Sequence, residues 1–136
     1  MALALRAEDL YHTGIVVPDL DAAMARLTAL AGYRWIKPMC FTLPFRTATG
    51  TRELTSNFVY SVQSPYLELI QETPGTPWVA APGNAVHHLG YFVDDLAETG
   101  KALEDNGFTL EMTADVADST LAMFAYYVDA GGTRIE

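Results

Sequence analysis

The sequence predicts an α+β protein built from two tandem βαβββ modules. Three observations carry that prediction. A nine-residue motif recurs at an offset of 76 residues, a helix-patterned segment follows each copy, and β-rich segments bounded by turn residues follow each helix. With 136 residues, 50% apolar and 18% charged, the chain is long enough for one cored domain and too apolar for a disordered one. The expected organisation is a single domain over 1–136, with one module over about 9–72, a linker over 73–84 and a second module over about 85–136.

The repeat is explicit. Residues 12–20 read His-Thr-Gly-Ile-Val-Val-Pro-Asp-Leu and residues 88–96 read His-Leu-Gly-Tyr-Phe-Val-Asp-Asp-Leu. His12/His88, Gly14/Gly90, Val17/Val93, Asp19/Asp95 and Leu20/Leu96 are identical. The differences Ile15/Tyr91 and Val16/Phe92 exchange one strand-forming residue for another.

In the first module residues 11–17 are β-rich, and Pro18, lacking an N–H, stops the strand. Asp19 is placed to cap a helix by accepting from its free amides. Leu20, Ala23, Met24, Leu27 and Leu30 then form one apolar stripe at helical spacing, and Gly32 is a left-handed stop. Tyr33 to Phe45 is aromatic and irregular, with Pro38 and Pro44 demoting parts of it to edge or loop. A turn at 47–50 leads to a strand over 54–62, and Ser64-Pro65 turns into a last strand over 66–70.

The second module repeats the order more briefly. Asp94 or Asp95 caps its helix, Leu96 and Leu103 face the core, and Asn106-Gly107 ends it. Strands are expected over 108–113, 121–128 and 133–136, with Gly131-Gly132 as a turn. The linker is rich in turn residues (Thr73 to Pro77, Ala81 to Gly83), and Trp78 within it is expected to pack.

Charge and composition exclude several classes. Seventeen acidic against eight basic residues leave −9, the wrong sign for binding nucleic acid phosphates. An acidic surface reads first as solubility and only then as attraction for a cationic ligand. No apolar run approaches the roughly 20 residues of a membrane span. The opening segment MALALRAEDL is too short in apolar residues for a secretory signal, so a cytoplasmic protein is expected. Cys40 stands alone, which excludes an internal disulfide and a multi-cysteine zinc site.

Four residues of metal-ligand type occupy matching places. His12 and His88 open the two modules; Glu68 and Glu136 lie in their last strands. Glu68 sits in the apolar run Tyr-Leu-Glu-Leu-Ile, where it shares a face with Tyr66 and Ile70. A carboxylate buried there must be paired or metal-bound. Taken singly, a strand histidine is usually a satisfied core residue and a strand glutamate usually faces solvent. Their joint recurrence at equivalent places favours two imidazoles and two carboxylates around a divalent cation. His87, whose counterpart is Tyr11, is expected on the opposite face in a packing or surface role.

The paired modules, the His-x-Gly-(apolar)3-x-Asp-Leu openings and the (apolar)-Glu closing strands resemble the vicinal oxygen chelate superfamily. That superfamily includes glyoxalase I, methylmalonyl-CoA epimerase, extradiol dioxygenases and bleomycin-resistance proteins. The resemblance covers roughly residues 9–136 and implies a glyoxalase-like, half-open cupped β-sheet. It also implies metal ligation by His12, Glu68, His88 and Glu136, and a homodimer. Related proteins continue the closing strand past the position of Glu136.

Such a site suits Zn, Ni, Co, Mn or Mg, and Fe for a dioxygenase. An iron site that activates oxygen commonly keeps two histidines and one carboxylate, so the full set of four tilts toward non-redox chemistry. The resemblance then implies a metal-dependent isomerase, epimerase or lyase acting on a small oxygenated substrate. It abstracts a proton next to a carbonyl, with Glu136 or Glu68 as the base. Two alternatives stand beside it: an Fe(II) ring-cleaving dioxygenase, and a metal-free small-molecule binding or antibiotic-resistance protein. Trp35, Met39, Phe41, Phe58, Tyr60, Phe124 and Tyr126 are candidates to line the cavity, and Arg46 and Arg52 flank the 47–50 turn, where they read first as a solvated tip.

Overall fold

A computed structural model describes residues 3–80, 86–115 and 123–136. Among the described residues are two helices and eight strands: β1 (Leu10–Val17), α1 (Leu20–Ala31), β2 (Met39–Thr47), β3 (Gly50–Tyr60), β4 (Leu67–Gln71), β5 (Val86–Tyr91), α2 (Leu96–Asp105), β6 (Thr109–Ala114), β7 (Ala125–Val128) and β8 (Arg134–Ile135). A short 3-10 turn at Ala7–Asp9 precedes them. The strands pair in the orders β1-β4-β3 and β2-β6-β7-β8-β5. The expected Ala81–Gly83 turn and the start of the expected 121–128 strand lie outside the described residues.

Two compact units emerge, and neither is a contiguous half of the chain. One comprises His12–Thr42 and Thr55–His88; the other comprises Met1–Tyr11, Leu43–Leu54 and Leu89–Glu136. The tip of the β2–β3 hairpin therefore groups with the C-terminal residues, because residues 45–47 pair antiparallel with residues 112–114 of β6.

In the first of these units β1 runs parallel to β4, with Gly14 opposite Glu68, and β4 runs antiparallel to β3, with Glu68 opposite Tyr60. Helix α1 begins where expected: the Asp19 carboxylate accepts from Ala22 N–H at 3.0 Å. It ends at Gly32 with φ of 72°, a left-handed backbone that favours glycine. Leu20, Ala23, Met24 and Leu27 pack on Val59 and Leu69, with Ile15, Val17 and Trp35 around them. Leu30 departs from the expected stripe and is exposed. Because side chains alternate along a strand, this packing commits His12, Gly14, Phe58, Tyr60, Glu68 and Ile70 to the face away from α1.

The other unit is built on α2 and the C-terminal strands. β6 pairs with β7, β7 with β8, and β8 runs parallel to β5 with Leu89 opposite Ile135. Asp95, rather than Asp94, caps α2 by accepting from Glu98 N–H at 2.9 Å. Leu103 packs with Ala125, Tyr127 and Ile135. Gly100, a weak helix former, lies on the buried side of α2.

Candidate metal centre

Strand geometry delivers three of the four candidate ligands to one point. His12 comes from β1, Glu68 from β4 next to it, and His88 from β5; all three are buried, with exposures of 4%, 6% and 1%. The Nε2 atoms of His12 and His88 are 2.9 Å apart, and the two rings are nearly perpendicular. Glu68 Oε1 lies 3.3 Å from His12 Nε2 and 3.1 Å from His88 Nε2. Glu68 is thus not on a solvated face.

The spacing suits a shared cation. Two donors at about 2.0–2.1 Å from one ion stand roughly 2.8 Å apart at a right angle and roughly 3.4 Å apart at the tetrahedral angle. All three separations fall within that interval. The donor chemistry agrees: two imidazole nitrogens and a carboxylate oxygen are ligands of borderline and hard divalent ions. A buried carboxylate against two imidazoles is costly unless a positive charge, proton or metal, is shared among them.

Gly14 and His87 complete the local construction, and the expectation for His87 needs correcting. A Cβ on Gly14 would fall 2.5 Å from Nε2 and 2.6 Å from Nδ1 of His88, so the His88 ring occupies the space this glycine leaves open. His87 is neither on the surface nor a plain packing residue. It is 4% exposed, and its Nδ1 lies 2.9 Å from His88 Nδ1. The His-x-Gly motif and the His-His doublet were the signals for these two roles.

Glu136 follows β8 in the other unit. Its N–H donates to Leu89 O at 2.9 Å and its carbonyl accepts from Tyr91 N–H at 2.8 Å. Those two bonds bracket Gly90, so Glu136 stands beside Gly90 as Glu68 stands beside Gly14.

An aromatic wall leads away from the imidazoles. Tyr60 meets the His12 ring edge-on at 5.2 Å, Phe58 meets Tyr60 at 5.9 Å, and the exposed Phe41 meets Phe58 at 5.9 Å. Met39 faces a groove with Asp19, Asn57 and Gln71. Phe124 and Tyr126 pack on each other in the other unit, where Phe124 also meets Phe45. Trp35, expected in the cavity wall, packs under α1 and donates from Nε1 to Thr28 Oγ1 at 3.0 Å. Arg46 lies 3.4 Å from the Asp115 carboxylate, while Arg52 is exposed.

Comparison with known proteins agrees with this architecture. No curated protein matches the sequence. Among solved structures, a methylmalonyl-CoA epimerase in complex with methylmalonyl-CoA and NH4+ superposes with a TM-score of 0.61 at 16% identity, covering 93% of this chain and 90% of that one. A variant of Streptomyces coelicolor methylmalonyl-CoA epimerase in complex with 2-nitronate-propionyl-CoA gives 0.59 at 18% identity, covering 93% of each chain. A hypothetical protein from Bacillus halodurans C-125 gives 0.62 at 16% identity, covering 93% and 89%. At these identities the likeness is one of fold. The profile described as "Glyoxalase/Bleomycin resistance protein/Dioxygenase superfamily" matches residues 11–127, a span that takes in both histidine motifs, so the chain belongs to that superfamily.

Proposed function

We propose that the protein is a divalent-metal-dependent enzyme of the isomerase, epimerase or lyase type that removes a proton next to a carbonyl of a small oxygenated substrate. The observation that carries this reading is the convergence of His12 Nε2, His88 Nε2 and Glu68 Oε1, all on buried side chains, within 2.9–3.3 Å of one another. Glu136 is the fourth ligand in this reading, supported by its register beside Gly90. The two parallel pairings, β1 with β4 and β5 with β8, support tandem modules of common design. As the family resemblance implies, the protein acts as a homodimer.

A divalent ion held there supplies Lewis-acid stabilisation of negative charge developing on a substrate oxygen. The chain's own residues do the rest. His12 and His88 would hold the ion as neutral imidazoles, leaving the two carboxylates to balance its charge. Glu68, buried against both rings, stays in place. Glu136, the half-buried carboxylate of the pair, takes the α-proton and returns it. Phe58 and Tyr60 flank the His12 ring on this side of the site.

The test is exchange at carbon. Metal-reconstituted protein is incubated in D2O with methylmalonyl-CoA, the ligand of one structural relative, and with a panel of small α-hydroxy ketones and α-keto acids. Mass spectrometry should find deuterium at the α-carbon of an active compound, and Glu136→Gln should abolish it. Turnover of a compound with neither deuterium uptake at its α-carbon nor a primary isotope effect on its α-deuterated form rejects the reading.

A further inference from the structure

We infer that His87, anchored by the Pro77 carbonyl, is a positioning residue that fixes the proton of His88 on Nδ1 and so presents the Nε2 lone pair to the cation. This rests on the metal reading above. His87 Nε2 lies 2.7 Å from Pro77 O. A carbonyl oxygen only accepts, so His87 carries a proton on Nε2. In the neutral imidazole Nδ1 is then an acceptor, and the nitrogen 2.9 Å away, His88 Nδ1, must be its donor. His88 Nε2 is left with its lone pair, and that atom is the one facing His12 Nε2 and Glu68 Oε1.

Sequence-adjacent strand residues point to opposite faces, but each Nδ1 is only two bonds from its Cβ. Neighbouring rings can therefore meet close to the backbone, as these do at an interplanar angle of 82°.

The acceptor at the head of this chain is built, not incidental. Thr73 N–H donates to Trp78 O at 2.9 Å, Thr76 Oγ1 donates to Thr73 O at 2.7 Å, and Trp78 N–H donates to Thr76 Oγ1 at 3.0 Å. The Trp78 side chain is among the most buried in the molecule. This ring of bonds fixes the peptide between Thr76 and Trp78, and with it the direction of Pro77 O. The turn-rich segment between the two repeat motifs thus supplies a hydrogen-bond terminus for the metal ligand. Buried relays of this kind orient the ligating ring and set its tautomer.

The experiment has two readouts. In metal-free protein labelled with 15N-histidine, the His88 resonances should show a protonated Nδ1 and an unprotonated Nε2. Competition of Zn(II) against a chromophoric chelator should show about 10–100-fold weaker binding in His87→Leu. His87→Asn, whose Oδ1 can accept from His88 Nδ1, should recover most of that loss. A proton found on His88 Nε2 in the unsubstituted protein overturns the inference. So does a His87→Leu protein that folds with unchanged tautomer and Zn(II) affinity. If the unsubstituted protein takes up no Zn(II), the metal reading fails, while the 15N measurement still decides the relay because it needs neither metal nor substitution.

Discussion

Gly14→Ala should weaken Zn(II) binding sharply. The methyl group would enter the His88 ring, 2.5 Å from Nε2 and 2.6 Å from Nδ1, distances that real Cβ atoms do not tolerate. Neither side can yield easily. Residues 13–17 are locked in parallel register with residues 67–71, and the His88 ring is tied through Nδ1 to His87. The strain of overpacking is about 1–3 kcal/mol, and the ring turns or shifts to relieve it. Because a ligand nitrogen must stay within a few tenths of an ångström of its productive position, Zn(II) affinity should fall by more than the ~10–100-fold typical of supporting residues. Chelator competition measures the affinity and thermal denaturation measures the stability. Unchanged Zn(II) affinity would mean that the His88 ring does not sit over Gly14.

Glu68→Gln separates a metal site from a structural ion pair. If Glu68 served to neutralise a protonated histidine for stability alone, removing its charge would leave a buried cation uncompensated and cost about 3–5 kcal/mol. In the metal reading the side chain is a ligand whose charge matters once a cation is present. The glutamine amide keeps the shape and can donate to the His88 Nε2 lone pair. The metal-free variant should therefore unfold within about 1 kcal/mol of its parent, while Zn(II) affinity drops by at least ~100-fold, the upper end seen for supporting residues. Denaturant melts with and without Zn(II) read both quantities. A large loss of stability without metal, together with intact Zn(II) binding, would reverse the assignment.

Much of this was legible in the chain. The repeated motif marked both histidines, and Asp19, Asp95 and Gly32 announced the helix ends, because capping and left-handed termini depend on single residues with local physics. Glu68 was legible as a charge inside an apolar strand. What the chain did not reveal depends on contacts distant in sequence. Alternation placed His87 opposite His88, and only the fold brings the Pro77 carbonyl to its far nitrogen. Trp35 reads as a cavity residue by composition, yet the bond to Thr28 turns it under α1. The grouping of residues 43–54 with the C-terminal part of the chain follows from pairing with β6, which no local pattern encodes.

In the proposed site, imidazole nitrogens of His12 and His88 share one cation with carboxylate oxygen. X-ray absorption on protein loaded with a single equivalent of Co(II) tests it most directly. Two imidazole nitrogens at about 2.0–2.1 Å are expected, with oxygen completing the coordination shell, and one imidazole contribution should be lost in His12→Ala and in His88→Ala. A first shell of oxygen alone, or a spectrum indifferent to both substitutions, would contradict it.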